Sequence, residues 1–395
     1  MDNEKFREEV RAFLQASLTP ELRRAGRLMT SVFADFEATM QWHRILHAKG
    51  WVAADWPEEY GGTGWDINQR YIFQEECKLA GAPSLLPMGL QMLGPMLMGY
   101  GTDEQKSYYL PRLLSGEHVW CQGYSEPGAG SDLASLKTTA VADGDDYVIN
   151  GSKIWTSYAQ FANHIFCLVR TSKEGKPQRG ISFVLVEMNT PGITVEPIIG
   201  LDGRPEQCQV FFDDVRVPIA NRVGEENQGW TVAKYLLEFE RGGHNFTTDL
   251  KKQLARLRQQ GESEIGPGGS AMLQDAATRQ RLAELEVEAL ALECTELRIK
   301  GALTTGANPG ALSSMVKVVG TELGQRLSEL GLDLLGPEVA RYQPAAMEPD
   351  FDGEVIGPDY ALTSMAEYIN HRATTIYGGT AEIQRDIIAK HVLDL

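Results

Sequence analysis

The chain is short of positive charge and of cysteine, and it has no long apolar run. Its 54 Asp and Glu outnumber 37 Lys and Arg, for a formal net charge of −17. That balance excludes a general electrostatic grip on nucleic acid, which needs a positive footprint. An anionic ligand would have to be met by local Arg, Lys or helix N-termini. The cysteines, Cys77, Cys121, Cys167, Cys208 and Cys294, are scattered and odd in number, with no Cys-x-x-Cys. This argues against a disulfide framework and for reduced, buried thiols. No apolar stretch reaches the ~18–20 residues that a membrane-spanning helix needs, so no span is expected. The opening Met1-Asp2-Asn3-Glu4-Lys5 lacks the basic and apolar regions of a signal peptide, which makes a cytoplasmic enzyme the default expectation. His43 and His47 have metal-ligand spacing on a helix, but Arg44 stands where a zinc protease carries its Glu, and no metal site is expected. There is no internal repeat.

With 43% apolar residues in 395, the chain is too hydrophobic to stay disordered and long enough for two or three cores. Residues 1–118 read as helical: Phe6, Val10, Phe13 and Leu14 follow helical spacing, and Pro20 closes that segment. Thr102 and Gln105 form a candidate capping box. Over 119–224 the period changes to two, as in Ile165-Phe166-Cys167-Leu168-Val169 and Ile181-Ser182-Phe183-Val184-Leu185-Val186, which indicates a β-barrel or sandwich. From 225 to 395 the helical period returns, with Leu282, Leu285, Ala289, Leu292 and Ile299 spaced as in an antiparallel bundle. Gly261 to Ser270 is a Gly-rich interruption, and Pro344 to Tyr360 looks like an insertion.

The densest signal is Tyr124-Ser125-Glu126-Pro127-Gly128-Ala129-Gly130-Ser131-Asp132, followed by Asn150-Gly151-Ser152-Lys153-Ile154-Trp155-Thr156-Ser157. A β-run feeds a Pro/Gly-rich bend that brings backbone N–H groups and a hydroxyl close to a ligand. Asn150-Gly151 is the pair favoured in tight type I′ hairpins, so a hairpin turn is expected there. The returning strand delivers Trp155 and Ser157, an aromatic plane beside a hydroxyl, which suits a flat heteroaromatic cofactor.

These motifs resemble the acyl-CoA dehydrogenase family. Gln122 to Ser157 is similar to its flavin-binding signature, Gly101-Thr102-Asp103-Glu104-Gln105-Lys106 to the helix start before it, and Ile376-Tyr377-Gly378-Gly379-Thr380-Ala381-Glu382-Ile383-Gln384-Arg385 to its C-terminal adenine-contacting loop. The resemblance implies an α+β multidomain fold: an N-terminal helical domain, a middle β-barrel and a C-terminal four-helix bundle. It implies FAD held by Gln122, Gly123, Tyr124, Ser125, Gly130, Ser131, Trp155, Thr156, Ser157, Gly336, Thr380 and Glu382. It implies an acyl-CoA substrate met by Ser131, Arg241, Tyr377 and Gly378, and an electron-transfer flavoprotein as acceptor. The assembly implied is a homotetramer, or a mixed tetramer with a paralogous subunit.

The family's reaction is α,β-desaturation of an acyl thioester. A base takes the α-proton, and a carbonyl polarised by pre-placed donors makes that proton acidic enough to remove. In many members the base directly precedes the Gly-Thr of the C-terminal loop, where this chain has Gly378. Other members place a Glu before an Arg on a bundle helix. Glu240, before Arg241, matches that position, with Glu238 as the decoy. By the same resemblance the Gly378 N–H holds the thioester carbonyl. Three departures stand out: Arg256-Leu257-Arg258-Gln259-Gln260 lacks the Phe-Gly of a cross-subunit FAD element, Asp333 replaces a Gln of another, and Ile369-Asn370-His371-Arg372 stands where an Arg-Asp usually precedes the last motif. Two alternatives follow: a non-catalytic subunit that completes a partner's FAD site, and an oxidase or flavin monooxygenase on the same fold. Met88, Met92, Met96 and Met98, with Gly89, Gly94 and Gly99, suggest a yielding wall for a bulky acyl group.

Overall fold

The computed structural model describes residues 2–242, 246–266, 268–304, 312–348 and 350–395; the side chains of 238–242, 300 and 302–304 also lie outside the described part. Six helices come first: α1 (Asn3–Ser17), α2 (Pro20–Arg27), α3 (Phe36–Lys49), α4 (Ile67–Leu79), α5 (Gly94–Tyr100) and α6 (Asp103–Ser115). Eight strands follow: β1 (Trp120–Gly123), β2 (Thr139–Asp143), β3 (Asp146–Ser157), β4 (His164–Arg170), β5 (Ile181–Glu187), β6 (Ile193–Ile198), β7 (Gln207–Pro218) and β8 (Arg222–Val223). The α-helices described after the strands are α7 (Gly229–Gly242), α8 (Phe246–Ser263), α9 (Ala276–Thr304), α10 (Leu312–Leu335), α11 (Ala361–His371) and α12 (Ala381–His391). The helix–strand–helix order is the one the sequence implies.

The chain divides into two compact units, one formed by Met1–Trp42, Trp65–Leu85 and His244–Leu395, the other by His43–Gly64 and Leu86–Gly243. In the first, Leu250, Leu254 and Leu257 of α8, Leu282, Leu285, Ala289 and Leu292 of α9, and Leu323, Leu327, Leu330 and Leu334 of α10 form one core. Their three-four spacing puts each set on a single helix face. Phe6, Val10 and Leu14 of α1 are buried. Beside them Arg11 of α1 grips buried Glu76 of α4 through two N–H bonds of 2.8 and 2.9 Å. Pro20 opens α2, with Thr19 as its N-cap.

In the second unit the strands run in the order β6-β7-β3-β2-β4-β5-β8, with β1 added in parallel beside β4. The middle domain is therefore β, as expected, but the barrel is not closed: β6 and β8 end the path, and among the described residues they do not pair. β8 is only two residues long, too short to seal a seam, and Pro197 lies in the edge strand β6, where a missing N–H is tolerated. β4 and β5 are buried along six consecutive positions each, and the glycine that opens α7 is seated on β5. A Cβ on Gly229 would stand 2.4 Å from the Ser182 carbonyl carbon.

Two local expectations change. Asn150-Gly151 makes no hairpin turn; β3 runs straight through it. The turn lies earlier, at Gly144-Asp145, between the paired Asp143 and Asp146. Gly151 serves close approach instead, since a Cβ there would meet the Thr138 hydroxyl oxygen at 2.6 Å and its φ is +144°. Asn150 exchanges two 2.9 Å hydrogen bonds with Asp214, through its side chain to the Asp214 carboxylate and from the Asp214 N–H. The glycines at 89, 94 and 99 also leave no room for a ligand. Leu113, Trp56 and Tyr235 already fill the spaces over them, at 2.8, 2.1 and 2.8 Å from where a Cβ would be. The segment Met88–Leu93 winds as a π-helical turn just before Pro95, whose missing N–H interrupts the α-ladder.

One buried ion pair ties the sheet together. Lys153 of β3 is fully buried and Glu126, in the bend after β1, is 8% exposed. The Lys153 ammonium donates to Glu126 Oε1 at 2.7 Å, to the Leu168 carbonyl of β4 at 2.7 Å and to the Tyr124 carbonyl at 3.3 Å. Glu126 also accepts the N–H groups of Lys137 at 2.6 Å and Thr138 at 2.9 Å. Burial alone would raise the Glu126 carboxyl; the Lys153 charge and these donors more than offset it and hold it below the usual range. Burial lowers Lys153 in turn.

Lys153→Met should strand a buried carboxylate and destabilise the fold by about 3–5 kcal/mol, read by urea unfolding, while Lys153→Met with Glu126→Leu should recover part of that loss. Because folding depresses the Glu126 carboxyl, the pair's contribution is present above the unfolded-state value near 4.5 and is lost as pH falls below it. Wild type should therefore shed more stability than the double variant between neutral pH and pH 3 to 4 (about the lower carboxylate range). Equal stability of Lys153→Met and wild type would refute the lock.

Candidate active site

The bend after β1 is the first element of the site. Gln122 and Gly123 end β1, and a Cβ on Gly123 would lie 2.5 Å from the Cys167 sulfur, so only glycine lets β1 lie this close to β4. Tyr124 is buried, and the Ser125 carbonyl accepts the Ile154 N–H at 2.9 Å. Glu126 and Ala129 exchange N–H···O bonds of 2.9 and 3.0 Å across a tight turn. Beyond it Gly130 and Ser131 are exposed, and nothing stands within 4 Å of where a Cβ on Gly128 or Gly130 would be.

β3 supplies the second element. Its pairing with β7 slips between Lys153 and Thr156, and this bulge places Trp155 at φ +61°. A left-handed backbone at a bulky residue costs about 1–3 kcal/mol and persists where the surroundings impose it, often at functional sites. Here it re-aims the indole outward, leaving Trp155 61% exposed. Ser157 is half-buried, whereas the Thr156 side chain is fully buried and its hydroxyl has no partner. Because Ser125 and Ile154 are hydrogen-bonded, the bend and the bulge are held side by side. An outward indole, two partly exposed hydroxyls and open glycine backbone fit a flat, hydrogen-bonding ring system.

In the other unit, the loop after α11 carries further candidate residues. Gly378 and Gly379 take left-handed φ values of +63° and +83°. Thr380 caps α12, its hydroxyl accepting the Ile383 N–H at 3.2 Å. Glu382 is exposed in the first turn, and its carboxyl is held below the usual range by the N–H groups of the helix start and by Thr380. Tyr377 is 49% exposed. Gly336, at φ +55°, opens a short 3-10 turn after α10. Glu240 and Arg241 belong to the backbone of α7, but their side chains lie outside the described residues.

The departures noted in the sequence have partners of their own. Arg256 is held by Glu367 at 2.7 Å, the Tyr360 carbonyl at 2.7 Å, Thr363 at 3.0 Å and Ser364 at 3.1 Å. Asp333 is paired with Arg281. A cavity of about 730 Å³ opens in the β-unit, lined by Tyr108, Glu117, His118, Gln160, His164 and Glu187 among others, and none of the candidate residues borders it. Burial, with His118 close by, pushes His164 down to about 4.

Sequence reasoning missed Glu126 and Lys153 as the residues that hold bend and bulge together. The available signal was a lysine at a position of β3 where the apolar alternation calls for a core residue. It also missed Lys317 and Gln384, which grip the glycine loop from α10 and α12.

Comparison with known proteins bears on both units. Family models described as the N-terminal, middle and C-terminal domains of acyl-CoA dehydrogenase match residues 1–117, 121–215 and 227–393. Acyl-CoA dehydrogenase FadE26 of Mycobacterium tuberculosis is 36% identical over 99% of this chain and 96% of its own length. The structure of the ChsE4-ChsE5 complex from Mycobacterium tuberculosis is similar over 100% of this chain and 97% of that one, with a TM-score of 0.83 and 34% identity. The Tcur3481-Tcur3483 steroid ACAD matches over 100% and 97%, with a TM-score of 0.82 and 32% identity. Matches that run the length of the chain, at identities above 30%, settle the family: the chain belongs to the acyl-CoA dehydrogenases and is an oxidoreductase.

Proposed function

We propose that the protein desaturates an acyl-CoA thioester between Cα and Cβ. The observation that best supports this is the strained, outward Trp155 held beside Ser125 by the Ile154–Ser125 bond. In this reading the backbone from Gln122 to Ser131, with Trp155, Thr156 and Ser157, holds the isoalloxazine, and Gly336, Thr380 and Glu382 serve the rest of FAD. When bound, FAD supplies the acceptor for the hydride that leaves Cβ. Thr156 contributes through its backbone, since its side chain is buried. Ser131 meets the CoA portion, Arg241 and Tyr377 orient the thioester, and the Gly378 N–H takes hydrogen-bond load from the carbonyl oxygen as negative charge grows there. Glu240 removes the α-proton. Gly378 has no side chain to do so, and the Glu240-Arg241 pair matches family members that carry the base on this helix. Electrons pass on to an electron-transfer flavoprotein; steady hydrogen peroxide release during turnover would indicate the oxidase alternative instead.

A mixed assembly is the reading that Arg256 and Asp333 support. Both are engaged within the chain, which fits a mixed tetramer in which a paralogous subunit supplies the missing FAD contacts. Relatives point the same way, since the ChsE4-ChsE5 structure is a complex of two differently named chains. FAD content and sedimentation should show a flavin-poor chain when purified alone and a flavin-loaded tetramer with the paralogue. A homotetramer with one FAD per chain that acyl-CoA bleaches would sink the mixed assembly and keep the enzyme.

Glu240→Gln in the flavin-loaded protein should retain FAD and lose about 10²–10⁴-fold in the rate of anaerobic flavin bleaching, with Glu238→Gln near wild type. Full activity of Glu240→Gln would move the base elsewhere or make the chain a partner subunit. Trp155→Ala should weaken FAD retention because a stacking plane is lost; unchanged affinity and spectrum would reduce Trp155 to a surface residue.

The acyl group is proposed to be bulky. With the glycine spaces at 89, 94 and 99 filled, this rests on similarity to the steroid ACAD. Across butyryl-, octanoyl-, palmitoyl- and steroid-side-chain CoA esters, kcat/KM should favour the last over butyryl by about tenfold or more. Preference for butyryl-CoA would refute the bulky-substrate reading alone.

A further inference from the structure

The cavity in the β-unit has no part in the proposed reaction. Its volume of about 730 Å³ is that of a site for a whole small molecule. It lies where the chain enters β1 and β4 and leaves β3 and β5. Two buried imidazoles line it. His118 is 8% exposed and His164 is 7% exposed, with their ring centroids 4.0 Å apart.

The bonds around His164 fix its tautomer. Asn163 Oδ1 accepts the Val119 N–H at 2.8 Å, and Asn163 Nδ2 donates to the Glu117 carbonyl at 2.7 Å. His164 Nδ1 lies 2.8 Å from the same Oδ1 and must therefore carry the ring proton. Burial, with His118 close by, keeps this imidazole neutral near neutral pH, so Nε2 holds a bare lone pair. That nitrogen is buried without a partner. The adjoining Trp120 does not supply one, since its indole N–H is unpartnered as well. His118 Nδ1 is also buried without a partner. Burial lowers that ring too, and a neutral imidazole always offers one lone pair. Most buried polar atoms are hydrogen-bonded. These two rings therefore call for a donor, and the space beside both is the cavity.

The lining narrows what that donor is. Glu117 and Glu187 bear the formal charges among the described lining residues, and no Lys or Arg joins them. Glu117 shares its charge with Arg112 at 3.4 Å. Glu187 is exposed and stands opposite His164 across the β4–β5 pair. A cavity of this sign disfavours anions and favours cations. Among the described residues no third metal-ligating side chain completes a site with the histidines, which argues against a metal ion. What fits is an organic cation that carries its own N–H groups.

We propose that this cavity is a second ligand site, taking a small primary alkylammonium whose N–H groups serve the imidazoles, whose charge faces Glu187 and Glu117, and whose alkyl part lies against Ala159, Ala162, Met188 and Val195. The site is separate from the residues assigned to FAD and acyl-CoA, and it stands or falls independently of the desaturase reading.

The test is titration calorimetry on the purified full-length protein at about 0.15 M salt, where general attraction to an acidic chain is screened. Butylammonium, 1-butanol and butyrate share a four-carbon chain and differ in charge. Butylammonium should saturate one site per chain and bind about tenfold or more tighter than 1-butanol, with butyrate weaker still. Glu187→Gln, at an exposed position, should weaken butylammonium by about fivefold or more. His118→Phe keeps a ring in place and should weaken it by a similar factor (about fivefold). Glu174→Gln, away from the cavity, should bind as wild type does. Equal affinity for butylammonium and 1-butanol overturns the proposal, as does wild-type affinity in Glu187→Gln or an equal loss in Glu174→Gln. Wild-type affinity in a folded His118→Phe removes the imidazoles from the site and overturns it too; if that variant does not fold, Glu187→Gln decides alone.

Discussion

Much of the β-unit depends on one constraint: a lysine with no access to water must keep its charge satisfied. Lys153 meets it with Glu126 and the Tyr124 and Leu168 carbonyls. These partners come from the bend after β1 and from β4, so satisfying one ammonium fixes the bend against two strands. Glu126, in turn, draws in the N–H groups of Lys137 and Thr138, at the start of the segment leading into β2. An ion pair buried this deeply is weak evidence for stability, because desolvation opposes the attraction. Its consequence is geometric: the bonds that keep both charges satisfied hold the bend against β3 and β4.

The bulge follows from the same constraint. Lys153 and Thr156 are both buried although they are three residues apart, which strict alternation forbids. The extra residue is absorbed at Trp155, whose backbone turns left-handed and whose ring turns outward. The exposed indole is thus a consequence of anchoring the lysine, and the Ser125–Ile154 bond carries that anchoring to the hydroxyl of the bend. The features read as cofactor-binding and the features that hold the core are consecutive residues of one strand.

Much of this was legible in the sequence. Helical periodicity placed the faces of α1 and α9, because burial on a helix is set largely by spacing. Period-two and continuous apolar runs placed β4 and β5. The failures share a cause: a residue type has several uses, and only tertiary context selects one. Asn150-Gly151 has turn chemistry, but Thr138 lies against Gly151 and Asp214 pairs with Asn150, so the pair serves strand contact. Gly89, Gly94 and Gly99 suggested space, but neighbouring side chains fill it. Lys153 was passed over because a lysine in a strand is usually solvated, and its partner lies 27 positions away. Openness of the sheet was not legible either, since strand count does not show whether the short β8 reaches β6.

The glycine at 378 illustrates how a loss at one position constrains another. At φ +63° a side chain there would be strained, so a carboxylate on this loop would have to accept a left-handed backbone while serving as a base. Glycine relieves the strain and leaves the loop with donors alone. A site whose loop only donates needs its proton acceptor on a separate element, which is the role proposed for Glu240. In that proposal donor and base sit on different elements and are tuned separately.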